Sequence, residues 1–124
     1  MNTALLNLKL LMILTSHDIV GATNRKFGLC LKNFTTPYYR FKDAGALITL
    51  STELGGQPLI ASESFDPFAQ VESTKRFKYD SNAQMLLANT RMLSTIVRVD
   101  FDAVFFPGGP GTIGFFPKLK NQTS

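Results

Sequence analysis

The sequence of 124 residues contains one cysteine, Cys30, and one histidine, His17. A single cysteine excludes an internal disulfide framework and favours a reducing compartment, so we expect a cytoplasmic protein. Because there is no cluster of His and Cys residues, the sequence has no metal-ligand pattern, and we expect no metal and no cofactor. Cys30 lies between Leu29 and Leu31, a setting that predicts a packed core thiol rather than a reactive one.

Long apolar runs and runs of like charge are also missing. The leucine-rich stretch 5–14 is interrupted by Lys9 and is far too short to span a bilayer, so no membrane partner is expected. It also lacks the basic region and the cleavage pattern of a secretory signal. The net charge of +4 is spread thinly, without a basic tail or an aromatic-interleaved platform, so nucleic-acid binding is not expected. A hydrophobic content of 44% excludes a disordered chain.

Apolar periodicity predicts alternating strands and helices in one domain. The run 8–15 is typical of a central parallel strand covered on both faces, and 46–51 predicts a second strand. A helix is predicted over 26–44, ended by Gly45 and kinked into two pieces by Pro37. Residues 55–68 predict a loop, 69–79 and 81–89 two short helices, and 91–97 a brief extended piece. The predicted buried stripe of the first helix is Phe27, Leu31, Phe34, Tyr38 and Phe41, with Asn33 on its flank.

The segment 100–111, DFDAVFFPGGPG, is the most informative part of the sequence. Residues 103–106 form a short apolar run of strand type, which Pro107, Gly108 and Gly109 then end with a sharp turn. In parallel α/β sheets, ligands bind outside the carboxyl ends of the strands. The N–H groups of Gly108 and Gly109 are therefore candidates for an oxyanion or carboxylate cradle. Plain chain reversal is the alternative for such a turn.

Six segments appear in a characteristic order: LMILTSHD at 11–18, the stretch 27–46, GGQP at 55–58, STKRFKYDS at 73–81, LLANT at 86–90 and DFDAVFFPGG at 100–109. Together they resemble the ThiJ/PfpI superfamily, in the branch of heat-shock-type glyoxalase III proteins with a class I glutamine amidotransferase-like fold. The resemblance implies a flavodoxin-like three-layer α/β sandwich with a parallel sheet. Residues 8–111 would then be a partial ThiJ/PfpI domain, and 112–124 a divergent tail.

Members of this family look like cysteine enzymes of a hydro-lyase, D-lactate dehydratase type. The resemblance implies that a thiol on a strained strand-to-helix elbow attacks a small aldehyde such as methylglyoxal, while a glutamate on the first helix moves protons toward D-lactate. The elbow reads A-V-C-H-x-P and follows the glycine turn. No such motif is present in this sequence, so we expect a domain truncated before the nucleophile-elbow strand.

The glutamate of the first helix also has no counterpart. Counted five residues on from Gly28 and four back from Pro37, its position is occupied by Asn33. An amide neither accepts nor releases a proton near neutral pH, whereas a carboxylate can be tuned to do so. The resemblance therefore implies that no catalytic residue is intact and that Gly108 and Gly109 are a remnant of the oxyanion hole.

These observations predict a truncated, inactive ThiJ/PfpI protein, whose intact relatives look like glutathione-independent glyoxalases or deglycase and chaperone proteins of the stress response. Two alternatives stay open: a fragment of a functional glyoxalase III-type enzyme, and a non-catalytic holdase or partner of a full-length paralogue. In flavodoxin-like order the first strand lies between the second strand and strand 103–106, whose far side would have no partner. We expect a marginally stable protein that forms a homodimer or aggregates through this open sheet edge. The alternative is that the tail residues Ile113, Phe115 and Phe116 fold back as a substitute cover.

Overall fold

One mixed sheet organises the chain in the computed structural model, which describes residues 4–14, 28–107 and 112–115. Its strands are β1 (Lys9–Ile13), β2 (Leu47–Thr52), β3 (Arg91–Met92), β4 (Ala103–Phe106) and β5 (Thr112–Phe115). The order is β3-β2-β1-β4-β5, with the first four strands parallel and β5 antiparallel to β4. The predicted position of the first strand, between the second strand and strand 103–106, is confirmed.

The central strand, β1, has apolar side chains on both faces, and both faces are buried. Leu10 and Met12 are 0% exposed, and Leu11 is 2% exposed. In the register, Leu10 lies between Ile48 of β2 and Ala103 of β4. A parallel strand whose two faces are both covered needs no polar face, which is why its sequence is a continuous apolar run rather than an alternating one.

The described part of the chain has three helices: α1 (Leu31–Asp43), α2 (Glu72–Lys78) and α3 (Ser81–Ala88). Helices α1 and α3 contact β2, and α2 packs on the other two helices. The buried stripe of α1 is confirmed for Leu31, Phe34 and Tyr38, while Phe41 is partly buried. The centre of the Phe41 ring lies 5.1 Å from the centre of the Phe105 ring in β4. Aromatic residues at helical spacing thus attach α1 to the sheet. Phe27, also predicted in this stripe, lies outside the described residues.

Helix α1 begins later than predicted because its N-terminal approach is held in extended form. Leu29 forms a parallel bridge with Ile60, in which the Leu29 N–H donates to the Leu59 carbonyl over 2.7 Å and the Ala61 N–H donates to the Leu29 carbonyl over 2.9 Å. Gly28, just before it, has a φ of +120°. These backbone bonds compete with helix formation, so the helix starts only at Leu31.

Pro37 does not divide α1 into two pieces, contrary to the prediction. The helix is continuous from Leu31 to Asp43 with Pro37 inside it. A proline has no N–H to donate to the carbonyl four residues earlier, here that of Asn33. Buried residues on both sides of the proline, Thr35 and Tyr38, hold the two halves against the core and offset this loss.

The loop predicted at 55–68 contains two short 3-10 helices, Ser62–Phe65 and Pro67–Ala69. The extended piece predicted at 91–97 is shorter in the structure: β3 covers two residues, and a 3-10 turn follows at Leu93–Thr95. None of the helices in the described part of the chain has the length and apolar character needed to cross a bilayer.

The open edge predicted on β4 is wrong, because β5 occupies it. Ala103 pairs with Phe115, and Phe106 pairs with Thr112 in antiparallel register. The N–H and C=O groups on an unpaired strand edge are a template for any nearby extended segment. The residues that follow β4 supply such a segment. They add a fifth strand to the sheet, so the edge of β4 is not free to pair with a second chain.

Candidate functional site

The N-terminus of α1 lies at the carboxyl end of the sheet, the end where the parallel strands finish. Helix α1 follows β1 along the chain, and in open α/β sheets ligands bind outside the carboxyl ends of the strands. Cys30 is the N-cap residue of α1, and Asn33 is the third residue of the helix. The segment 58–70 lies beside them, connected through the bridge between Leu29 and Ile60.

The first N–H group of α1 is satisfied from outside the helix. Cys30 makes no side-chain capping bond. Instead, the Leu31 N–H donates to the Oγ of Ser64 over 3.0 Å, a buried contact between residues 33 positions apart. Ser64 was not recognised from the sequence, because capping patterns are sought within a few residues of the helix start. The segment 58–70 is therefore attached to the N-terminus of α1 by its backbone and by this serine.

Asn33 is exposed at the first turn of α1, whereas the sequence placed it on the flank of the buried face. Its backbone N–H donates to the Cys30 carbonyl over 3.0 Å. Its side chain is a neutral amide, which can hydrogen-bond a ligand but cannot transfer a proton near neutral pH. The residue at the predicted acid/base position is therefore exposed to solvent at the carboxyl end of the sheet. Its amide cannot act as a general acid or base.

Cys30 is not the packed core thiol that the sequence predicted. It is partly exposed, whereas its neighbours Leu29 and Leu31 are buried at 6% and 7% exposure. As the N-cap residue it faces the segment 58–70 and lines a cavity of about 370 Å³ with Lys32, Glu63, Ser64, Asp66, Phe68, Ala69 and Thr74. Its φ of −79° and ψ of 114° are ordinary extended values, so its backbone is not the strained elbow of a nucleophile.

Hydroxyl groups cluster where β2 ends and β3 begins, but their hydrogen bonds are internal. The Thr52 and Thr90 Oγ1 atoms are 2.8 Å apart, and the Gly55 N–H donates to Thr52 over 2.9 Å. Thr90 donates to the carbonyl of Gly56. Because Thr90 uses its proton there, Thr52 donates to Thr90. This network fixes the turn after β2 and leaves no hydroxyl proton for a substrate.

A second polar cluster joins the three helices near the C-terminal end of α1. The Tyr39 hydroxyl donates to Asp80 Oδ2 over 2.8 Å, and Arg76 forms two bonds of 2.8 and 2.9 Å to Asp43. Burial raises the pKa of Tyr39, and the hydrogen bond to Asp80 raises it further. The guanidinium of Arg76 lies 4.0 Å from the centre of the Tyr39 ring. These contacts tie α1 to α2 and α3, away from the carboxyl end of the sheet.

Asp80 also caps α3, by accepting a hydrogen bond of 3.0 Å from the Ala83 N–H. Burial acts to raise the pKa of Asp80, but the bonds from Ala83 and Tyr39 and the nearby charges of Lys42 and Arg76 outweigh it. The pKa of the carboxyl is therefore below its ordinary value. A carboxylate held in its charged form in this way stabilises the fold and is not poised for proton transfer near neutral pH.

The predicted cradle at Gly108 and Gly109 lies outside the described residues, as does His17. The strand that leads to the cradle, β4, has the predicted bounds Ala103–Phe106. Within the described ranges, no group of three His, Cys, Asp or Glu side chains is arranged to hold a metal ion. Of the predicted site residues, the structure thus places only Asn33, at the carboxyl end of the sheet.

Comparison with known proteins shows a structural likeness. A scan against protein-family models finds no match, and a search of curated proteins finds none either. The chain is similar to the X-ray structure of Rapid Encystment Protein 24 kDa (REP24) of Francisella tularensis, with a TM-score of 0.66 and 29% sequence identity. The match covers 82% of this chain and 44% of that chain, so this chain spans less than half the length of REP24. The likeness and the sheet order define a flavodoxin-like α/β fold.

Proposed function

We propose that this chain corresponds to the N-terminal part of a ThiJ/PfpI-type domain that has lost its proton-transfer residue, and that it does not convert methylglyoxal to D-lactate. The observation that carries the proposal is the place of Asn33, an exposed amide in the first turn of α1 at the carboxyl end of the sheet. The ordered sequence segments and the sheet order β2-β1-β4 support the assignment to this type of domain.

The chemistry explains why the amide matters. Conversion of methylglyoxal to lactate adds one water and moves a hydrogen from the aldehyde carbon to the neighbouring ketone carbon. A thiol that adds to the aldehyde gives a hemithioacetal, from which a base removes the C–H proton and returns it to the next carbon through an enediol, which leaves a thioester. Water then hydrolyses the thioester, which breaks the C–S bond and releases lactate and the thiol. Asn33 cannot accept that proton. Cys30, on an unstrained N-cap, lacks the exposed elbow geometry of a nucleophile.

Product formation by the purified chain tests this proposal. We expect no D-lactate from methylglyoxal above the uncatalysed background, either for the natural chain or for Cys30→Ser. Asn33→Glu should also give none, because a base without a nucleophile leaves the hemithioacetal unformed. D-lactate production that is abolished by Cys30→Ser would refute the proposal and identify Cys30 as a nucleophile.

A chimaera tests the role of Asn33 separately. The elbow half of an active family member is fused after β4, so that the chimaera carries the elbow thiol. Turnover should be weak with Asn33 and should rise by about 100-fold or more in Asn33→Glu, the usual contribution of a general acid/base. Lys32→Glu is the matched control, since it places the same carboxylate one residue away. High turnover with Asn33 retained, or an equal gain in Lys32→Glu, would show that the acid/base position is assigned wrongly.

A second, non-catalytic function, holdase binding of unfolding proteins, is favoured by the exposed apolar side chains of 54–68. Phe68 is 96% exposed, Leu54 81% and Phe65 65%. Where such side chains form one patch, they mark a surface that contacts other proteins. The chain should slow the aggregation of a heat-unfolded client, and Phe65→Ser with Phe68→Ser should abolish the effect. Tyr79→Ser, also at an exposed aromatic residue (83%), is the control; equal loss there would argue against a specific surface.

A further inference from the structure

A cavity of about 630 Å³ lies between α2 and the segment 58–70, and Asn33 is not among the described residues that line it. Its lining combines the buried side chain of Leu31 with the partly buried Phe77 and the exposed Phe65. The other described residues that line it are Ser64, Pro67, Gln70, Thr74, Lys75, Lys78 and Gln84. This volume is within the range of about 300–1,000 Å³ that small-molecule sites occupy.

The neutral polar groups of the lining are engaged within the protein. Ser64 Oγ accepts the hydrogen bond from the Leu31 N–H, and Gln70 Nε2 donates to the carbonyl of Ser64 over 2.9 Å. Thr74 Oγ1 donates to the Val71 carbonyl and accepts from the Val71 N–H, both over 2.9 Å. These groups shape the cavity, and a ligand would have to displace a protein hydrogen bond to reach their bonded atoms.

The side chain of Gln84, which also lines the cavity, is likewise engaged in hydrogen bonds within the protein. Its Nε2 donates to the carbonyls of Phe77 and Lys78, each over 2.9 Å, at the C-terminal end of α2. The side chain thus covers carbonyl groups that would otherwise repel an anion. Apolar contact and charge are therefore the main means of recognition that the cavity offers.

The charge in the cavity is of one sign. Lys75 and Lys78 are three residues apart on α2, a spacing that puts both on one side of the helix. Both are exposed, and no acidic residue is among the described residues that line the cavity. Lys78 Nζ lies 5.8 Å from the centre of the Tyr79 ring, a weak contact that an anion can replace. The cavity thus presents two ammonium groups beside an apolar interior.

The geometry points to a binding site for a small amphipathic carboxylate, a monocarboxylic acid with a compact apolar body such as a medium-chain fatty acid or an aryl acid. The apolar body packs against Leu31, Phe65 and Phe77, and the carboxylate lies at Lys75 and Lys78. The site uses none of the residues of the proposed aldehyde chemistry, so it stands independently of that proposal.

Titration with octanoate, followed in amide NMR spectra of the full chain, tests this site. Octanol and octylamine are the matched probes, with the same tail and with no charge or the opposite charge. We expect saturable shifts at Phe77, Lys78 and Gln84 with octanoate, weaker binding of octanol and the weakest of octylamine. Equal affinity for octanoate and octanol, no saturable binding of octanoate, or shifts confined to other residues would each overturn the proposal.

Two sets of variants separate the charge from the apolar contact. Lys75→Ala with Lys78→Ala should weaken octanoate binding by roughly two- to twenty-fold and leave octanol binding unchanged, since each exposed charge pair contributes at most about a factor of five. Lys9→Ala with Lys42→Ala makes the same change in net charge away from the cavity and should leave octanoate binding unchanged. Equal weakening by both pairs would show a long-range charge effect and no site at α2.

Discussion

Replacement of Gly28 by alanine should be the most damaging single-methyl addition at the start of α1. Gly28 has a φ of +120°, and a Cβ built there would lie 2.6 Å from the nitrogen of Ala61 and 2.9 Å from the carbonyl carbon of Ile60. Both are backbone atoms, so no side-chain rotation relieves the contact. The segment 58–70 must move, and the two hydrogen bonds that join Leu29 to Leu59 and Ala61 must lengthen or break.

The size of the effect follows from these contacts. Backbone strain at a positive φ costs about 1–3 kcal/mol for a residue with a Cβ, and two lost backbone hydrogen bonds cost about 1 kcal/mol each. The free energy of unfolding should therefore fall by about 3–5 kcal/mol, a large part of the roughly 5–15 kcal/mol of an ordinary domain. Gly56 is the matched control: its φ is +77°, but a Cβ there meets nothing within 4 Å. Gly56→Ala should cost only about 1–2 kcal/mol, from the backbone alone.

Urea unfolding followed by circular dichroism compares the two variants. At a slope of about 1.5 kcal/mol per molar urea, the midpoint of Gly28→Ala should be lower than that of Gly56→Ala by about 1 M or more. Equal midpoints would show that the approach of Gly28 to Ala61 contributes nothing to stability. The account of how the segment 58–70 is attached to α1 would then be wrong.

Two further substitutions test contacts that the helices depend on. Ser64→Ala leaves the first N–H of α1 without its buried acceptor and should lower the free energy of unfolding by about 1–2 kcal/mol, measured by urea unfolding; an unchanged midpoint would contradict the capping role. Asp80 has a folded-state pKa below its ordinary value of 3.8, so its contribution to stability is present above that value and is lost as the pH falls through the folded pKa. Asp80→Asn should therefore unfold with less pH dependence than the natural chain between about pH 5 and about pH 2; parallel curves would contradict the assignment.

The centre of the sheet was predictable from the sequence because its central strand, β1, is buried on both faces. Strand β4 has the predicted bounds, and β1 lies within the predicted run 8–15. The start of α1 was not predictable, because Leu29 is held extended by Ile60, a residue 31 positions further along the chain. The spacing of apolar residues predicts which residues a helix buries. It does not reveal a backbone bridge that prevents the first turn of the helix from forming.

The same limit applies to the tail and to Cys30. The TIGF sequence of β5 is short and has no strong strand pattern, and it forms a strand because β4 offers it an unpaired edge. Cys30 has buried leucines on both sides, yet it is the N-cap residue, where the chain changes from extended to helical and the side chain faces the segment 58–70. Local composition predicted that Leu29, Cys30 and Leu31 are all buried. The change of backbone direction leaves Cys30 partly exposed.

The assignment of Asn33 to the acid/base position stays a prediction, and the structure shows that no buried contact requires an asparagine there. The first turn of α1 contains no acidic residue and includes Lys32, although the helix dipole favours negative charge there. Asn33 is exposed, so Asn33→Glu removes no buried contact and should stabilise the chain by about 0.3–1 kcal/mol through the dipole. Thermal unfolding measures this gain, with Lys42→Glu in the last turn as the control that should destabilise. A loss of stability in Asn33→Glu would mean that the amide has a structural role, and its presence would then say nothing about lost acid/base chemistry.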